Sequence, residues 1–415
     1  NVRAVKDKND NIISDGRPSL GFTGNMDTYK PAEGSATRSD IAITDPDFKY
    51  PSLWKSNIAA DYKFGDGWVA TVELLYSKDI NAIYHDNIGL YRTEQFVNDG
   101  GAGNARPYYN GYYSDREGNQ KAANHVVMLR NTSKGHSLYT TFQLQKNFVD
   151  GILKGLYLNG SYSFGQSRGV TDGTSSVATS AWKYRAALDG NAEEVGYTAG
   201  SFDGRLLLSA SYTANWSKYA ATSFGLIYQR YRPFRYSYCY NGDANGDSQF
   251  SNDLMYIPAN FDEVKDHLLP GDFDSQEDAW KAMNAFIEQD PYLSKHRGEY
   301  AERNGAVAPF ANQLDLSVSH DIKIYQKNGR SHTLRFSFNI ANFLNLLNRN
   351  WGVVQTTVLG NQQYQFLTIP KGQGPSAANN YTLKYTMAKD LDETFKDNLN
   401  DVSRWQMQFG IKYIF

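Results

Sequence analysis

Apolar and polar residues alternate along nine long stretches of the chain. In the clearest stretch, 205–217, one side carries apolar residues and the other mainly polar ones. Alternation with a period of two is typical of a β-strand with one apolar face, and this stretch is about twice as long as an average strand. We therefore predict nine long strands, at 53–64, 67–79, 137–148, 153–168, 204–219, 222–236, 310–324, 331–346 and 404–415.

Short and long connections alternate between these strands. The long connections cover about 80–136, 169–203, 237–309 and 347–403, whereas the others have only a few residues. This alternation is typical of outer-membrane barrels, which have tight turns on the periplasmic side and long loops outside. We therefore predict an all-β, membrane-spanning, antiparallel up-and-down β-barrel with long extracellular loops. The alternative is a soluble β-sandwich or propeller, whose strands are usually shorter.

Composition by itself indicates a soluble protein. Apolar residues make up 40% of the 415 residues, the mean hydropathy is −0.59, and no apolar run approaches the length of a membrane-spanning helix. A barrel with a wet interior has the same average, because its inward polar residues cancel its outward apolar ones. The 30 Tyr and 35 Gly favour β structure and turns.

Charge and cysteine content exclude several classes of protein. Lys and Arg number 42 and Asp and Glu 44, so the net charge of −2 provides no basic field for nucleic acid. The single cysteine, Cys239, excludes a disulfide framework and a zinc site built on cysteines. The seven histidines do not pair at metal spacing, and no motif for a catalytic nucleophile is present. We therefore expect no enzyme activity.

The strand count indicates that this chain forms part of a larger barrel. If Phe415 lies on the periplasmic side, every short connection is periplasmic, every long one is external, and 1–52 is an extracellular loop segment. Nine is an odd number, whereas bacterial single-chain barrels have even numbers, and an open sheet leaves unpaired edges in lipid. We therefore expect 53–415 to form the C-terminal part of a barrel that a missing N-terminal portion completes.

Four segments carry a resemblance to a known family. They are RWQMQFGIKYIF at 404–415, LRFSFNIANFLNLLNRNWG at 334–352, NGDANGDSQFSNDLMYIP at 241–258 and FIEQDPYLSKHRGEYAERNGAVAPF at 286–310. These segments resemble the TonB-dependent outer-membrane transporters of the Bacteroidetes type, in the Oar-like subgroup related to SusC receptors. The resemblance covers most of 200–415, and 1–200 matches by strand pattern only.

The resemblance implies a Gram-negative outer-membrane location and a barrel of about 22 strands with a plug domain inside. It implies import of a bulky or scarce ligand, driven by the TonB–ExbB–ExbD complex. The plug and the TonB box are N-terminal in the family, and neither is visible within this chain. The alternatives are a passive or secretory channel, an outer-membrane enzyme and a surface adhesin; a proton-motive-force uncoupler would stop only active import.

The resemblance also implies partners for particular residues. At the end of the chain, alternate positions look like the recognition signal for the barrel-assembly machinery: Phe409, Ile411, Tyr413 and Phe415. Outer-membrane lipid and lipopolysaccharide would surround the barrel. A surface lipoprotein could dock on a helix that we predict at 275–289, with Ser275 and Asp278 as its capping box and Trp280, Met283 and Ile287 in its apolar stripe. The alternative, which we prefer, is that this helix packs on its own loop.

One loop contains a candidate calcium site. Oxygen-bearing residues follow at a spacing of two, and another acid comes later: Asp243, Asn245, Asp247 and Asp253. This spacing resembles the start of a calcium-binding loop, but Ser248 and Leu254 occupy the positions at which an EF-hand has glycine and an acid. The alternative is a polar turn held by Asx hydrogen bonds. Calorimetry with calcium against EGTA separates these two possibilities.

Tyrosines cluster in two of the long connections. The first group is Tyr108, Tyr109, Tyr112 and Tyr113, and the second is Tyr236, Tyr238 and Tyr240. Tyrosine rings bind sugars and peptides by stacking and through their hydroxyl groups, so both groups are candidate ligand residues. The alternative is that they form a loop core or an aromatic girdle.

Overall fold

Nine long strands form one continuous antiparallel sheet. The computed structural model describes residues 5–6, 12–14, 40–97, 106–112, 125–173, 175–325, 331–359, 363–376, 381–387 and 393–415. The nine strands are β1 Leu53–Phe64, β2 Trp68–Asp79, β3 His136–Asn147, β4 Leu156–Gly169, β5 Arg205–Ser217, β6 Ala220–Tyr231, β7 Ala311–Tyr325, β8 Ser331–Ala341 and β9 Gln406–Ile414. Each strand pairs with its neighbours in chain order. The prediction of an all-β, antiparallel fold with strands at these positions is confirmed.

The register of the strands separates an apolar face from a polar face. One row of directly paired residues crosses six strands and is entirely apolar: Leu158, Ala210, Leu226, Leu316, Ile340 and Met407. A row on the opposite face is polar except at one position: Asp61, Thr71, Gln143, Ser161, Leu207, Gln229 and Gln313. Because side chains alternate between faces along a strand, this register gathers the apolar positions of all nine strands on one surface.

The sheet has two open edges in the part of the chain that the structure describes. The edge strands are β1 and β9, and each has a single neighbour in this sheet. Both carry exposed apolar side chains, such as Ile58 on β1 and Phe409 on β9. An open edge presents unpaired N–H and C=O groups along its length, so each edge can accept another strand.

Short and long connections lie at opposite ends of the sheet. Residues 65–67, 148–155 and 218–219 make the short connections, and 80–135, 170–204, 232–310 and 342–405 make the long ones. The connection at 326–330 lies outside the described residues. We call the described parts of the four long connections the loop assembly.

The loop assembly has its own secondary structure. Its helices are Ala178–Lys183, Gln276–Gln289 and Phe343–Leu347, with 3₁₀ turns at Phe261–Glu263, Leu293–Lys295 and Asp401–Ser403. Its longer strands are Ala82–Asn87, Leu90–Val97, Arg106–Tyr112, Val126–Thr132 and Arg235–Tyr238. Its two- and three-residue strands are Gly196–Tyr197, Tyr256–Ile257, Leu268–Leu269, Glu299–Tyr300, Ala306–Val307, Gln355–Thr357, Gln363–Tyr364, Leu367–Thr368, Leu383–Tyr385 and Phe395–Asp397. Outside it, Ile41–Thr44 pairs in parallel with Val126–Thr132, and Val5–Lys6 pairs with Ile12–Ser14. No helix among the described residues is both long and apolar enough to cross a membrane.

The main apolar core lies in the loop assembly and not between layers of the sheet. The largest cluster of buried side chains joins the helix Gln276–Gln289 to residues from three of the long connections, among them Tyr108, Met255 and Phe366. Many side chains of the apolar face of the sheet, by contrast, are exposed, such as Leu226, Met407 and Phe409. A domain normally buries its apolar faces against another layer, so an exposed sheet face of this size indicates an apolar environment or a partner.

Two predicted strand ends are wrong. We predicted a strand over 331–346, but β8 ends at Ala341 and Phe343–Leu347 is helical. Asn342 takes a left-handed conformation with φ of 53°, and its backbone N–H donates to Asp315, which turns the chain out of the sheet. Likewise, β6 ends at Tyr231 and not at 236, because Arg235–Tyr238 forms a separate strand within the loop assembly.

Candidate functional site

The tyrosines of the second cluster lie inside the loop assembly. Tyr236, Tyr238 and Tyr240 are all buried. The hydroxyl group of Tyr238 donates to Asp290 Oδ2 at 2.6 Å, and that of Tyr240 pairs with the hydroxyl group of Tyr381 at 3.1 Å. The ring faces and hydroxyl groups are therefore used within the protein. The structure supports the loop-core interpretation of these three residues and does not place them on a ligand-binding surface.

The first tyrosine cluster is also internal where the structure describes it. Tyr108, Tyr109 and Tyr112 are buried, and Tyr113 lies outside the described residues. The Tyr109 hydroxyl donates to Asp189 Oδ1 at 2.7 Å, and the Tyr112 hydroxyl lies 3.1 Å from Nδ1 of His125. Burial, with the nearby Asp189 carboxylate, raises the pKa of Tyr109, so this phenol stays neutral and acts as a hydrogen-bond donor.

The four candidate calcium ligands form a compact group of carboxyl and amide side chains. Asp243 accepts hydrogen bonds from the backbone N–H groups of Asn245, Gly246 and Ser248 at 3.2, 2.6 and 2.8 Å. Asp253 accepts from the N–H of Ala244 at 2.8 Å. This is the Asx pattern of the alternative interpretation. Among the described residues, no group of three or more His, Cys, Asp or Glu has the arrangement of a metal site. Calcium binding at these residues stays a prediction.

Asp247 is a buried carboxylate that lies near two other carboxylates of this group. Its side chain is fully buried, and it accepts from the backbone N–H of Gln249 at 2.8 Å. Burial, with the carboxylates of Asp253 and Asp243 nearby, raises the pKa of Asp247 well above its usual range. Protonation of Asp247 is therefore easier in the folded protein than in the unfolded chain.

We expect the Asp247 side chain to make the loop assembly more stable as the pH falls, measured in EGTA. Because the folded pKa is raised, the folded state binds a proton that the unfolded state lacks between the usual pKa of an aspartate and the raised value. Stability is therefore lost as the pH rises through this window, by about 1.4 kcal/mol per pH unit. The measurement is thermal unfolding of the wild type and of Asp247→Asn over a range of pH. The difference between their free energies of unfolding should change with pH by this slope.

Asp274→Asn is the matched control, because Asp274 is exposed in the same long connection. We expect Asp274→Asn to keep the pH profile of the wild type, and Asp247→Asn to be the more stable protein at neutral pH. Identical profiles for wild type and Asp247→Asn would contradict the prediction.

The predicted helix is confirmed, together with its cap. The helix covers Gln276–Gln289, and the Ser275 hydroxyl accepts from the backbone N–H of Asp278 at 3.0 Å while donating to its carboxylate at 2.7 Å. Ala279, Met283, Phe286 and Ile287 are buried in the core of the loop assembly, and Trp280 packs against it. The apolar stripe therefore faces the helix's own loops, as we preferred. Docking of a surface lipoprotein stays a prediction.

The sequence did not reveal a fully buried arginine in the loop assembly. Arg106 has no exposed surface, and Nη1 lies 3.3 Å from Oδ1 of Asp253, which is 1% exposed. Its Nη2 donates to the carbonyl oxygen of Leu254, and its guanidinium lies 5.5 Å from the rings of Tyr240 and Tyr300. Arg106 therefore links the long connection 80–135 to the Asp243–Asp253 segment of the long connection 232–310. Only the flanking Pro107-Tyr108-Tyr109 could have suggested a strand here.

A small polar cavity of about 180 Å³ lies where the loop assembly meets β6. Asp203, Arg232 and Arg235 line it. Arg235 pairs with Asp203 and donates to the carbonyl oxygens of Ser201 and Asn304, while Arg232 donates to that of Ala308. These charged groups pair with one another and with backbone carbonyl oxygens, except Arg232 Nε, which lies 3.7 Å from Asp203 Oδ2 and makes no hydrogen bond within the described residues.

The polar face of the sheet carries paired charges. Arg335 on β8 donates to both carboxylate oxygens of Asp321 on β7, at 2.6 and 2.7 Å. Lys412 on β9 is the register partner of Arg335. The register places these three residues on the polar face of the sheet.

The four residues of the predicted barrel-assembly signal lie together on the apolar face of the last strand. Phe409, Ile411 and Tyr413 are register partners of Phe338, Phe336 and Leu334 on β8. All four residues, with Phe415 at the end, are exposed. Recognition by the assembly machinery stays a prediction.

No protein-family model, curated protein or solved structure matches this chain.

Proposed function

We propose that this chain forms part of the wall of an outer-membrane β-barrel that imports a bulky or scarce ligand. The observation that carries the proposal is the sheet itself. Nine long antiparallel strands follow one another in order, with one exposed apolar face, one polar face, and short and long connections at opposite ends. An apolar face against lipid, a polar face towards water and long external loops are the features of such barrels.

Aromatic side chains at the short-connection end support this proposal. Tyr62, Phe64 and Trp68 stack in sequence, with ring centroids 5.9 and 6.3 Å apart. Tyr413 stacks on Phe415 with centroids 5.9 Å apart. A belt of aromatic rings at the short-connection end suits the boundary between lipid and water. There, one part of a ring contacts the acyl chains of the lipid and another part contacts the head groups.

The two open edges require a partner for the barrel to close. Lipid offers no hydrogen bonds to the unpaired groups of β1 and β9, so further strands must cover them. An N-terminal barrel portion that adds strands to both edges satisfies this requirement. The plug and the dependence on TonB rest on the family resemblance alone.

Labelling of single cysteines tests the location and orientation. Ile152 in a short connection is 97% exposed, and Phe250 in the loop assembly is 69% exposed, whereas the native Cys239 is buried and gives no background. With a maleimide too large to cross the outer membrane, we expect Phe250→Cys to react in intact cells. Ile152→Cys should react only after the outer membrane is permeabilised. Equal labelling of both variants in intact cells contradicts the proposal.

Energy dependence separates import from passive passage. The measurement is accumulation of a fluorescently labelled panel of peptides and oligosaccharides in cells with and without this protein, before and after a protonophore. Loss of the protein-dependent signal on uncoupling supports active import. A signal that persists indicates a passive channel, the alternative function.

A further inference from the structure

A lysine stands in the apolar face of the sheet. Lys146 is near the end of β3, and its register partners are Trp68 on β2 and Leu158 on β4. It belongs to the apolar row that continues through Ala210 and Leu226. A charged residue on the lipid face of a barrel is costly at mid-membrane and much cheaper near the interface. The short connection 148–155 follows closely, so Lys146 lies at the interface level.

The side chain of Lys146 is held in place and does not extend into water. It is only 7% exposed. Its ammonium nitrogen lies 5.6 Å from the ring of Trp68 and 5.1 Å from that of Phe148. Within the described part of the chain, no carboxylate forms an ion pair with it. A lysine that only avoids lipid would extend towards the aqueous side, where its charge is hydrated.

An apolar groove begins beside this lysine. It has a volume of about 420 Å³ and opens on the apolar face, and Trp68, Leu144, Leu158, Leu208 and Leu226 are among the residues that line it. Small residues, Gly160 and Ala210, leave room along the groove. A Cβ atom at Gly160 would approach Leu208 Cδ2 to 3.0 Å, so a larger residue there would narrow the groove.

We propose that this groove and Lys146 form a binding site for one phospholipid of the inner leaflet of the outer membrane. The acyl chain lies in the groove, where leucine and aromatic side chains make up most of the lining. The phosphate of the head group meets the ammonium of Lys146, which forms no ion pair with any carboxylate of the described residues. The site rests on the proposed location in a membrane. The barrel by itself requires only non-specific contact with bulk lipid, whereas this site binds one phospholipid specifically.

The test is native mass spectrometry of the purified full-length chain, with any copurifying barrel partner, in detergent titrated with dioleoylphosphatidylglycerol. We expect one lipid to bind more tightly than the rest. Lys146→Met should weaken this binding about fivefold to tenfold, the effect of one basic group near an anionic head group. Lys146→Arg should retain it, and Ala210→Phe should weaken it by filling the groove. Lys154→Met, in the exposed short connection, is the matched control and should bind as the wild type does.

Equal affinity of wild type and Lys146→Met for the first lipid overturns the proposal, as does unchanged binding by Ala210→Phe. Carbonate extraction of cell membranes keeps this failure distinct from failure of the proposed function. A protein that stays in the membrane pellet but binds no single lipid lacks the site and keeps its proposed location. A protein released into the supernatant contradicts the proposed location itself.

Discussion

Leu226→Arg should abolish most of the membrane-inserted protein, whereas Ile227→Arg should leave its amount close to that of the wild type. The two residues are neighbours on β6 and similarly exposed, at 40% and 48%. They point to opposite faces, because Leu226 pairs with Ala210 and Leu316 in the apolar row and Ile227 pairs with Ser209 and Asp315. An arginine on the lipid face near mid-membrane costs about 2–4 kcal/mol, and the same residue in a wet interior costs little.

The measurement is the amount of each variant in the carbonate-resistant outer-membrane fraction, with unfolding in detergent as a second readout. Since each variant replaces one aliphatic residue by arginine at adjacent positions of the same strand, each controls for the other in net charge and in position along the strand. Equal loss in both variants would show that the apolar face does not meet lipid. A larger loss in Ile227→Arg would assign lipid to the opposite face of the sheet.

Arg106→Met should destabilise the loop assembly by about 3–5 kcal/mol, because the substitution removes the guanidinium that pairs with the buried carboxylate of Asp253. Arg106 is completely buried and also donates to the carbonyl oxygen of Leu254, so the backbone of the Asp243–Asp253 loop loses a donor as well. Thermal unfolding in detergent and limited proteolysis of the long connections measure the effect. We expect cleavage within 237–309 to become much faster.

Arg92→Met provides the matched control. Arg92 forms an ion pair with Asp189 at 3.2 Å, but its side chain is 53% exposed, so its loss should cost less than about 1 kcal/mol. The double variant Arg106→Met with Asp253→Asn should recover part of the lost stability, since it removes the buried carboxylate charge together with the guanidinium. If Arg106→Met is no more damaging than Arg92→Met, the buried pair does not hold the two connections together.

The strand pattern was largely predictable because alternation is a local property. A residue's side of the sheet follows from its position along the strand, and the register then aligns rows such as Leu226 with Leu316. The ends of β6 and β8 were less predictable. The turn after Ala341 depends on Asp315, which accepts from the N–H of Asn342 across 27 positions of the chain.

The tyrosines show why candidate sites were harder to predict than strands. Tyrosine is equally suited to a ligand surface and to a core with hydrogen-bonded hydroxyl groups, so composition alone does not separate the two. The surrounding residues determine which role a tyrosine has. The Tyr238 hydroxyl donates to Asp290 Oδ2, and the Thr394 hydroxyl donates to the same carboxylate oxygen at 2.7 Å. These three residues come from two different long connections.

By itself, the sequence determined the all-β class, the positions of nine strands, the two faces of the sheet and the capped helix Gln276–Gln289, because each depends on near neighbours in the chain. The tertiary structure alone decided what fills the long connections. It paired Arg106 with Asp253 across 147 positions, buried six tyrosines in loop cores, and set Lys146 between two rings beside an apolar groove. These contacts depend on which distant segments meet, and local periodicity carries no information about that.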